Sequence, residues 1–398
     1  MLGIVKAKGA VLFDEHGKEY IDGISSWYTS VYGHCNDAII AKVYAQMQQL
    51  DQVVFSGFTH EPAIALSEAL ISLLPENQEK LFFSDNGSTA TEIGIKMALQ
   101  YHHNLGKKRS VLMAFEDGFH GDTFGAMSVS GLSVYNGPFE DYFIEVKRIP
   151  VPTDANLEGL LHELENTMDL GAVAGFIYEP LVQGAAAMKM HKAEHLEKIL
   201  KVIKSHGVLA IADEVMTGFG KTGRHFASDY MTEKPDIICM SKALTAGMLP
   251  MAVTSCTQNV YDAFYSDDIA KGLFHGHTYT ANPLACAAAL AGIELLKSEE
   301  IQKNIGQIIQ WHQEFDAQIK DHPKVAATRQ TGIIYALDLN IVMERYGNVR
   351  DKLFQHFMDA GVFLRPLGNT IYISAPYIIT KDQMQRIYDS IRDVLEKF

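Results

Sequence analysis

Apolar and polar residues alternate along the chain in two patterns. Short apolar runs that stop at acidic or turn-forming residues are typical of buried strands in a largely parallel sheet, and they lie at 81–84, 111–115, 175–178, 208–212, 236–240 and 252–255. Apolar residues at helical spacing separate these runs, and the predicted helices lie at 37–50, 61–74, 90–101, 193–205 and 284–296. This alternation predicts an α/β fold with a mostly parallel sheet flanked by helices, in which 252–255 is the antiparallel strand.

The two chain ends have a different pattern. Residues 5–21 alternate around the turn at 14–17 and predict a hairpin. After about residue 298 a long amphipathic helix at 301–319 precedes short strand patterns. The last helix opens with a capping box, in which the side chain of Thr380 pairs with the backbone of Gln383 and the side chain of Gln383 with the backbone of Thr380. The C-terminal part therefore predicts a smaller α+β lobe.

Composition narrows the class of protein. The chain has 398 residues, of which 47% are hydrophobic and 21% charged, as in soluble globular proteins. The formal net charge of −14 argues against nucleic acid or an anionic membrane as a partner. Three of the four scattered cysteines lie in apolar surroundings and predict buried thiols, and the first residues do not resemble a signal peptide. We therefore expect a cytoplasmic protein.

The chemistry centres on residues 208–242. Asp213 ends one predicted strand, Lys242 follows the next, and a glycine-rich loop lies between them. Because ligands of open α/β sheets bind at the carboxyl ends of the strands, an acid and an amine are expected to face one crevice. This pair suits pyridoxal phosphate, since a lysine forms a Schiff base with its aldehyde and an acid partners its pyridinium nitrogen. The alternative for either residue alone is a surface salt bridge.

Other segments fit the same cofactor but each has a simpler interpretation. The turn at 87–89 opens a predicted helix, where free N–H groups hold either a phosphate or only an N-cap. Phe119 and His120 follow a strand and could contact a planar ring or be structural. Arg365 precedes a proline and suits a carboxylate or a surface ion pair. His275 and His277 lack a third ligand at helical spacing, so we expect no metal site.

Together these segments resemble the class III aminotransferases of fold type I. The resemblance covers nearly the whole chain and depends on Asp-Asn-Gly-Ser (85–88), Ile-Ala-Asp-Glu-Val-Met-Thr-Gly-Phe-Gly (211–220) and Ser-Lys-Ala-Leu (241–244). It implies a large cofactor-binding domain formed by residues 31–298 and a small α+β domain formed by residues 1–30 and 299–398. It also implies pyridoxal phosphate as the cofactor and a homodimer with shared active sites.

The resemblance assigns roles to individual residues. It implies that Lys242 is the Schiff-base lysine and acid–base catalyst and that Asp213 partners the pyridine nitrogen. The other implied cofactor contacts are Gly87, Ser88, Phe119, His120, His277 and Thr278, of which Thr278 reaches the phosphate of the neighbouring subunit. The implied substrate pocket comprises Trp27, Phe119, Gly276, Arg365 and Tyr372.

Further motifs resemble a subfamily that aminates 8-amino-7-oxononanoate to 7,8-diaminononanoate in biotin synthesis, commonly with S-adenosylmethionine as donor. They are Ser-Ser-Trp (25–27), Phe-His-Gly-Asp-Thr-Phe-Gly-Ala-Met-Ser (119–128), Asn-Pro-Leu-Ala-Cys (282–286) and Arg-Pro-Leu-Gly-Asn-Thr-Ile-Tyr (365–372). Relatives that use glutamate often have a Glu where this chain has Ala185, so a dicarboxylate user is not expected.

The chain also departs from the subfamily pattern. Phe119 replaces a usual Tyr, His277 a common Pro and Lys221 a common Arg, and the subfamily has an N-terminal arm upstream of the first hairpin whose tyrosine joins the substrate pocket. Two alternatives therefore stay open. One is another class III ω-amine transaminase of the lysine, ornithine or β-alanine type, and the other is a protein that holds pyridoxal phosphate without turnover.

Overall fold

The computed structural model describes residues 2–133, 136–168, 170–341 and 347–398. The strands are β1 (Ile4–Lys8), β2 (Val11–Asp14), β3 (Glu19–Asp22), β4 (Gln78–Ser84), β5 (Val111–Phe115), β6 (Val146–Ile149), β7 (Val173–Tyr178), β8 (Val182–Gln183), β9 (Lys189–Met190), β10 (Leu209–Asp213), β11 (Ile237–Met240), β12 (Ala252–Thr257), β13 (Val325–Thr331), β14 (Ile334–Leu339), β15 (Val362–Phe363) and β16 (Thr370–Ile373).

The helices follow the same chain order. They are α1 (Ser25–Tyr28, a single left-handed turn), α2 (Asp37–Met47), α3 (Glu61–Ile71), α4 (Gly87–Asn104), α5 (Phe124–Val129), α6 (Leu157–Met168), α7 (Ala193–Ser205), α8 (Gln258–Asp262), α9 (Pro283–Leu296), α10 (Glu299–Ile319), α11 (Asn348–Asp359) and α12 (Lys381–Lys397). None of the helices in the described part of the chain combines the length and apolar character that a membrane crossing requires.

The central sheet has seven strands in the order β4-β12-β11-β10-β7-β5-β6. The strands from β11 to β6 pair in parallel, whereas β12 pairs antiparallel with both β11 and β4. Alternate residues of one strand face opposite sides: Ile211 joins the core cluster that contains α4, and Ala210 and Ala212 join the cluster that contains α7 and α9. The predicted α/β fold and the antiparallel strand at 252–255 are confirmed.

Both chain ends contribute to a second sheet. Its order is β1-β2-β3-β15, and Val362 of β15 pairs in parallel with Ile21 of β3. A third sheet has the order β13-β14-β16. The predicted N-terminal hairpin contains three strands rather than two, because the backbone turns at Gly9 with φ 59° between β1 and β2. The domain boundaries at 30 and 298 stay a prediction.

Side chains cap the N-termini of α2 and α12. The cap of α2 is Asn36, whose side chain accepts hydrogen bonds from the N–H groups of Ala38 and Ile39. The capping box of α12 is confirmed, with Thr380 accepting from the N–H of Gln383. Cys239, Cys256 and Cys286 are buried as predicted, and Cys35 is exposed.

Candidate active site

Three neighbouring strands end at one edge of the central sheet with an ionisable residue each. β10 ends at Asp213, β7 is followed directly by Glu179, and β11 is followed by Ser241 and Lys242. Because β7, β10 and β11 run in parallel and pair with one another, their carboxyl ends meet. The fold thus brings Lys242 and Asp213 to one place, as the sequence predicted, and adds Glu179.

The Lys242 amine lies in a buried environment between acids and an aromatic ring. Burial lowers the pKa of Lys242, while the negative charges of Asp213 and, less strongly, Glu179 oppose that shift. The Lys242 Nζ lies 5.1 Å from the centre of the Tyr28 ring, which is a cation–π distance. Lys242 has φ 50°, a left-handed conformation that is uncommon for a residue with a Cβ. Such strain often marks a functional position.

A histidine fixes the orientation of Asp213. The Asp213 Oδ2 atom lies 2.7 Å from His120 Nδ1, and Asp213 Oδ1 accepts a hydrogen bond of 3.1 Å from the N–H of Val215. Both side chains are almost completely buried. The other ring nitrogen of His120 is buried without a hydrogen-bond partner among the described residues. A carboxylate held in this way suits the charge partner of a protonated ring nitrogen.

The N-terminus of α4 provides an anion site on the same side of the sheet. Asn86 caps the helix by accepting from the N–H of Thr89, while the N–H groups of Gly87 and Ser88 have no acceptor within the helix. A Cβ on Gly87 would lie 2.8 Å from a Val215 methyl group, so only glycine fits there. The dipole and free N–H groups of an eighteen-residue helix suit a phosphate group at Gly87 and Ser88.

Glu179 is a site residue that the sequence interpretation missed. Its Oε2 accepts from the N–H of Phe119 at 3.1 Å and its Oε1 from the N–H of Gly184 at 3.0 Å. Burial raises the pKa of Glu179 to about 7, with Asp213 adding to the rise and His120 opposing it. The available signal was its position directly after a parallel strand, the same signal that identified Asp213.

A second cluster joins the N-terminal turn α1 to the segment before β16. The guanidinium of Arg365 lies 4.7 Å from the centre of the Trp27 ring, and no described residue accepts a hydrogen bond from it. The Tyr28 and Tyr372 rings lie 6.0 Å apart, and burial raises the pKa of Tyr372 to about 12. Tyr28 therefore contacts both the Arg365 side of the pocket and Lys242.

No hydrogen bond among the described residues joins residues 276–278 to this cluster. Gly276 and Thr278 are exposed, and the hydrogen bonds of this segment are local or go to Gln52. Two of its neighbours, Phe274 and Tyr279, expose 72% and 63% of their surface, which is unusual for large apolar side chains. The roles predicted for Gly276, His277 and Thr278 stay predictions.

Comparison with known proteins identifies the family. The family described as "Aminotransferase class-III" matches residues 1–395. The chain is a class III aminotransferase. It is 43% identical, over its whole length and 95% of the relative, to the adenosylmethionine-8-amino-7-oxononanoate aminotransferase of Synechococcus elongatus, and 36% identical, over 98% of its length and 90% of the relative, to the enzyme of that name from Geobacter sulfurreducens.

Solved structures agree on the class III fold. The adenosylmethionine-8-amino-7-oxononanoate aminotransferase of Methanocaldococcus jannaschii superimposes with a TM-score of 0.93 at 31% identity, covering 100% of this chain and 93% of that one. An amine transaminase from an uncultivated Pseudomonas species, solved with pyridoxal phosphate, gives a TM-score of 0.94 at 28% identity, covering 100% and 95%. These matches confirm the fold-type I assignment.

Class III aminotransferases use pyridoxal phosphate, and the residues of this chain fit that group. The unpaired N–H groups of Gly87 and Ser88 suit its phosphate, Asp213 suits its ring nitrogen, and Lys242 suits its aldehyde carbon. The cofactor predicted from the sequence is therefore confirmed.

Proposed function

We propose that this class III aminotransferase transfers an amino group from S-adenosylmethionine to 8-amino-7-oxononanoate, giving 7,8-diaminononanoate for biotin synthesis. The observation that carries this proposal is the Lys242–Asp213 pair at the ends of adjacent parallel strands. The relatives named for this reaction, at 43% and 36% identity over nearly the whole chain, support the substrate.

Lys242 acts as the acid–base catalyst. When bound, pyridoxal phosphate supplies the carbon that takes up the amino group and a ring that accepts the electron pair. Lys242 Nζ takes the proton from the donor carbon that carries the amino group, and later returns a proton to the acceptor carbon. A general base must be neutral to accept a proton, and the lowered pKa of Lys242 increases that neutral fraction near pH 7. Asp213, oriented by His120, keeps negative charge at the opposite end of the site.

Arg365 binds the carboxylate of the keto acid. Its guanidinium stacks on Trp27 at 4.7 Å and has no acceptor among the described residues, so its N–H donors are available to a ligand. A planar guanidinium pairs with a carboxylate through two parallel hydrogen bonds. Trp27 holds the guanidinium plane from one side, and Tyr372 lines the same region.

Two copies of the chain share the active sites. The support for this part of the proposal is the exposed segment around Gly276, His277 and Thr278, together with the exposed rings of Phe274 and Tyr279. Large apolar side chains of this kind commonly lie at subunit interfaces. Thr278 would bind the cofactor phosphate of the partner subunit.

A second candidate is the transfer of amino groups from simple ω-amines. The observation that keeps it open is that the Pseudomonas amine transaminase superimposes on this chain as well as the biotin-pathway enzyme does, with TM-scores of 0.94 and 0.93. The backbone fold therefore does not distinguish the two reactions. The side chains around Arg365 determine which substrate the pocket accepts.

The test is an activity assay in which the protein receives 8-amino-7-oxononanoate together with S-adenosylmethionine, lysine, ornithine or β-alanine as amino donor. The diaminononanoate formed is measured. We expect S-adenosylmethionine to support turnover, and Lys242→Ala to abolish it while the exposed control Lys198→Ala does not. Turnover with a simple ω-amine and pyruvate, but not with 8-amino-7-oxononanoate, would favour the second candidate. Normal activity of Lys242→Ala would refute both.

A variant of Arg365 tests its proposed role in binding the substrate carboxylate. Arg365→Ala should raise KM for 8-amino-7-oxononanoate at least about tenfold, since a charged hydrogen-bonded pair contributes roughly 1.5–3 kcal/mol. Arg386→Ala, on the exposed side of α12, is the matched control and should leave KM unchanged. An unchanged KM in Arg365→Ala would remove this residue from the substrate pocket.

A further inference from the structure

The turn α1 is the longest run of non-glycine residues with positive φ in the described part of the chain. Ser25, Ser26, Trp27 and Tyr28 all have positive φ, at 48°, 44°, 65° and 72°. Each residue has a Cβ that crowds the carbonyl oxygen in this conformation, so consecutive left-handed residues other than glycine are rare. Such a turn persists only where contacts outside it hold the backbone in place.

The turn directs two aromatic rings at two different cations. Trp27 stacks on the guanidinium of Arg365 at 4.7 Å, and Tyr28 covers Lys242 Nζ at 5.1 Å. The proposed function uses Arg365 for the carboxylate and Lys242 for the amino transfer. A single strained turn therefore contacts both ends of the pocket, and its shape constrains the span between the two groups.

Asp22 is the group that holds the turn. It is fully buried, its Oδ1 accepts from the N–H of Ile24 at 3.2 Å, and its Oδ2 accepts from Ser26 Oγ at 2.7 Å. The same Oδ2 lies 2.8 Å from His34 Nε2. His34 is fixed in turn by paired backbone hydrogen bonds with Gly9, of 2.7 and 3.0 Å. The turn is thus linked through one carboxylate to the second sheet, which contains β1, β2 and β3.

Two further contacts fix the turn to the rest of the site. Ser25 Oγ donates to the carbonyl oxygen of Ser374 at 2.7 Å, just after β16. On the other side, a Cβ on Gly247 would lie 2.9 Å from the hydroxyl oxygens of Thr29 and Ser30, so the segment after Lys242 packs closely against the end of the turn. The turn therefore lies between the Arg365 side and the Lys242 side of the pocket.

We propose that Asp22, together with Ser26 and His34, is a positioning group that holds the left-handed turn and so sets the span between the carboxylate site at Arg365 and the reactive amine of Lys242. This inference rests on the proposed function. It makes Asp22 a specificity determinant that touches neither substrate nor cofactor. When the turn relaxes, a substrate that binds at both Arg365 and Lys242 loses more affinity than a small amine that binds only near Lys242.

The first test measures the conformation of the turn by tryptophan fluorescence and needs no enzymatic reaction. The chain has two tryptophans, Trp27 and Trp311, so Trp311→Phe leaves Trp27 as the only one. In that background we expect Asp22→Ala to change the emission of Trp27 and to raise its acrylamide quenching constant by about 1.5-fold, since Trp27 already exposes 55% of its surface. Ser26→Ala removes only one hydrogen bond from the cluster and should give a smaller change of the same sign, which keeps the test available if Asp22→Ala does not fold.

The second test measures substrate specificity. We expect Asp22→Ala to raise KM for 8-amino-7-oxononanoate about tenfold or more, while the rate with a short amine donor and pyruvate falls less than about threefold. The matched control is Asp14→Ala. Asp14 is also buried and accepts hydrogen bonds from the N–H groups of His16 and Lys18 and from Tyr20 Oη, but it holds the neighbouring hairpin instead.

The outcomes separate this inference from the proposed function. If Asp22→Ala leaves Trp27 quenching and the ratio of the two activities unchanged, or if Asp14→Ala shifts them equally, the positioning role is wrong. If the unmodified protein does not turn over 8-amino-7-oxononanoate, the proposed function fails, and the single-tryptophan experiment still decides whether Asp22 holds the turn.

Discussion

Replacing Glu179 by glutamine should remove the pH dependence that this buried carboxyl gives to stability. Burial raises the pKa of Glu179 from 4.5 to about 7, a shift that corresponds to about 3 kcal/mol. Because the folded protein binds this proton more tightly than the unfolded chain, the Glu179 contribution to stability falls as pH rises from about 4.5 to about 7. Glutamine does not ionise and therefore lacks this loss.

The substitution also has a cost that does not depend on pH. Glu179 accepts from two main-chain N–H groups, those of Phe119 and Gly184, whereas a carboxamide accepts through its oxygen only. One buried N–H then loses its acceptor, at a cost of about 1–3 kcal/mol. We therefore expect Glu179→Gln to be less stable than the parent near pH 5 and to recover by about 2–3 kcal/mol, relative to the parent, by pH 8.

The assay is urea unfolding of cofactor-free protein followed by circular dichroism, at equal protein concentration and at several pH values between 5 and 8.5. The control is Glu158→Gln on the exposed side of α6, which should change the unfolding free energy by less than about 0.5 kcal/mol at every pH. If the difference in unfolding free energy between Glu179→Gln and the parent stays constant across this pH range, the inferred rise in the pKa of Glu179 is wrong.

Three further outcomes follow from single contacts. Burial and the charge of Lys242 lower the pKa of Lys221 to about 7, so parent stability should rise from pH 7 to pH 10 in urea unfolding, and Lys221→Met should lack that rise. Gly87→Ala should weaken pyridoxal phosphate binding about tenfold or more by fluorescence titration, because its methyl group would lie 2.8 Å from Val215. Arg329→Lys should lower the unfolding free energy by about 1–3 kcal/mol by urea titration, since Arg329 pairs with Asp338 through two hydrogen bonds, of 2.7 and 2.9 Å.

The Lys221 outcome also bears on how this chain departs from its subfamily pattern. An arginine at this position would stay charged at all accessible pH values, whereas the buried Lys221 is close to half-ionised near neutral pH. Its Nζ donates to the carbonyl oxygen of Gly218 at 3.0 Å beneath the glycine-rich loop. Lys221→Arg should therefore also remove the rise in stability above pH 7.

The sequence by itself determined the α/β class, most of the strands of the central sheet and the position of the reactive pair, although it missed β6 and α6. Apolar runs such as 111–115 and 237–240 are encoded locally, because their burial follows from a few consecutive side chains. The carboxyl ends of the parallel strands of a sheet lie at the same edge, whichever of these strands are neighbours. Lys242 and Asp213 could therefore be located without knowledge of the strand order.

Only the tertiary structure decided which other groups join that pair. Glu179 lies beside Asp213 because β7 is the neighbour of β10, and strand order depends on crossovers that local periodicity does not encode. Tyr28 covers Lys242 because Asp22 and Ser374 hold the turn at 25–28 in a left-handed conformation, and the second of these contacts joins residues 349 positions apart. Local side chains encode burial, whereas an unfavourable sign of φ is sustained by contacts from distant segments that only the folded chain brings together.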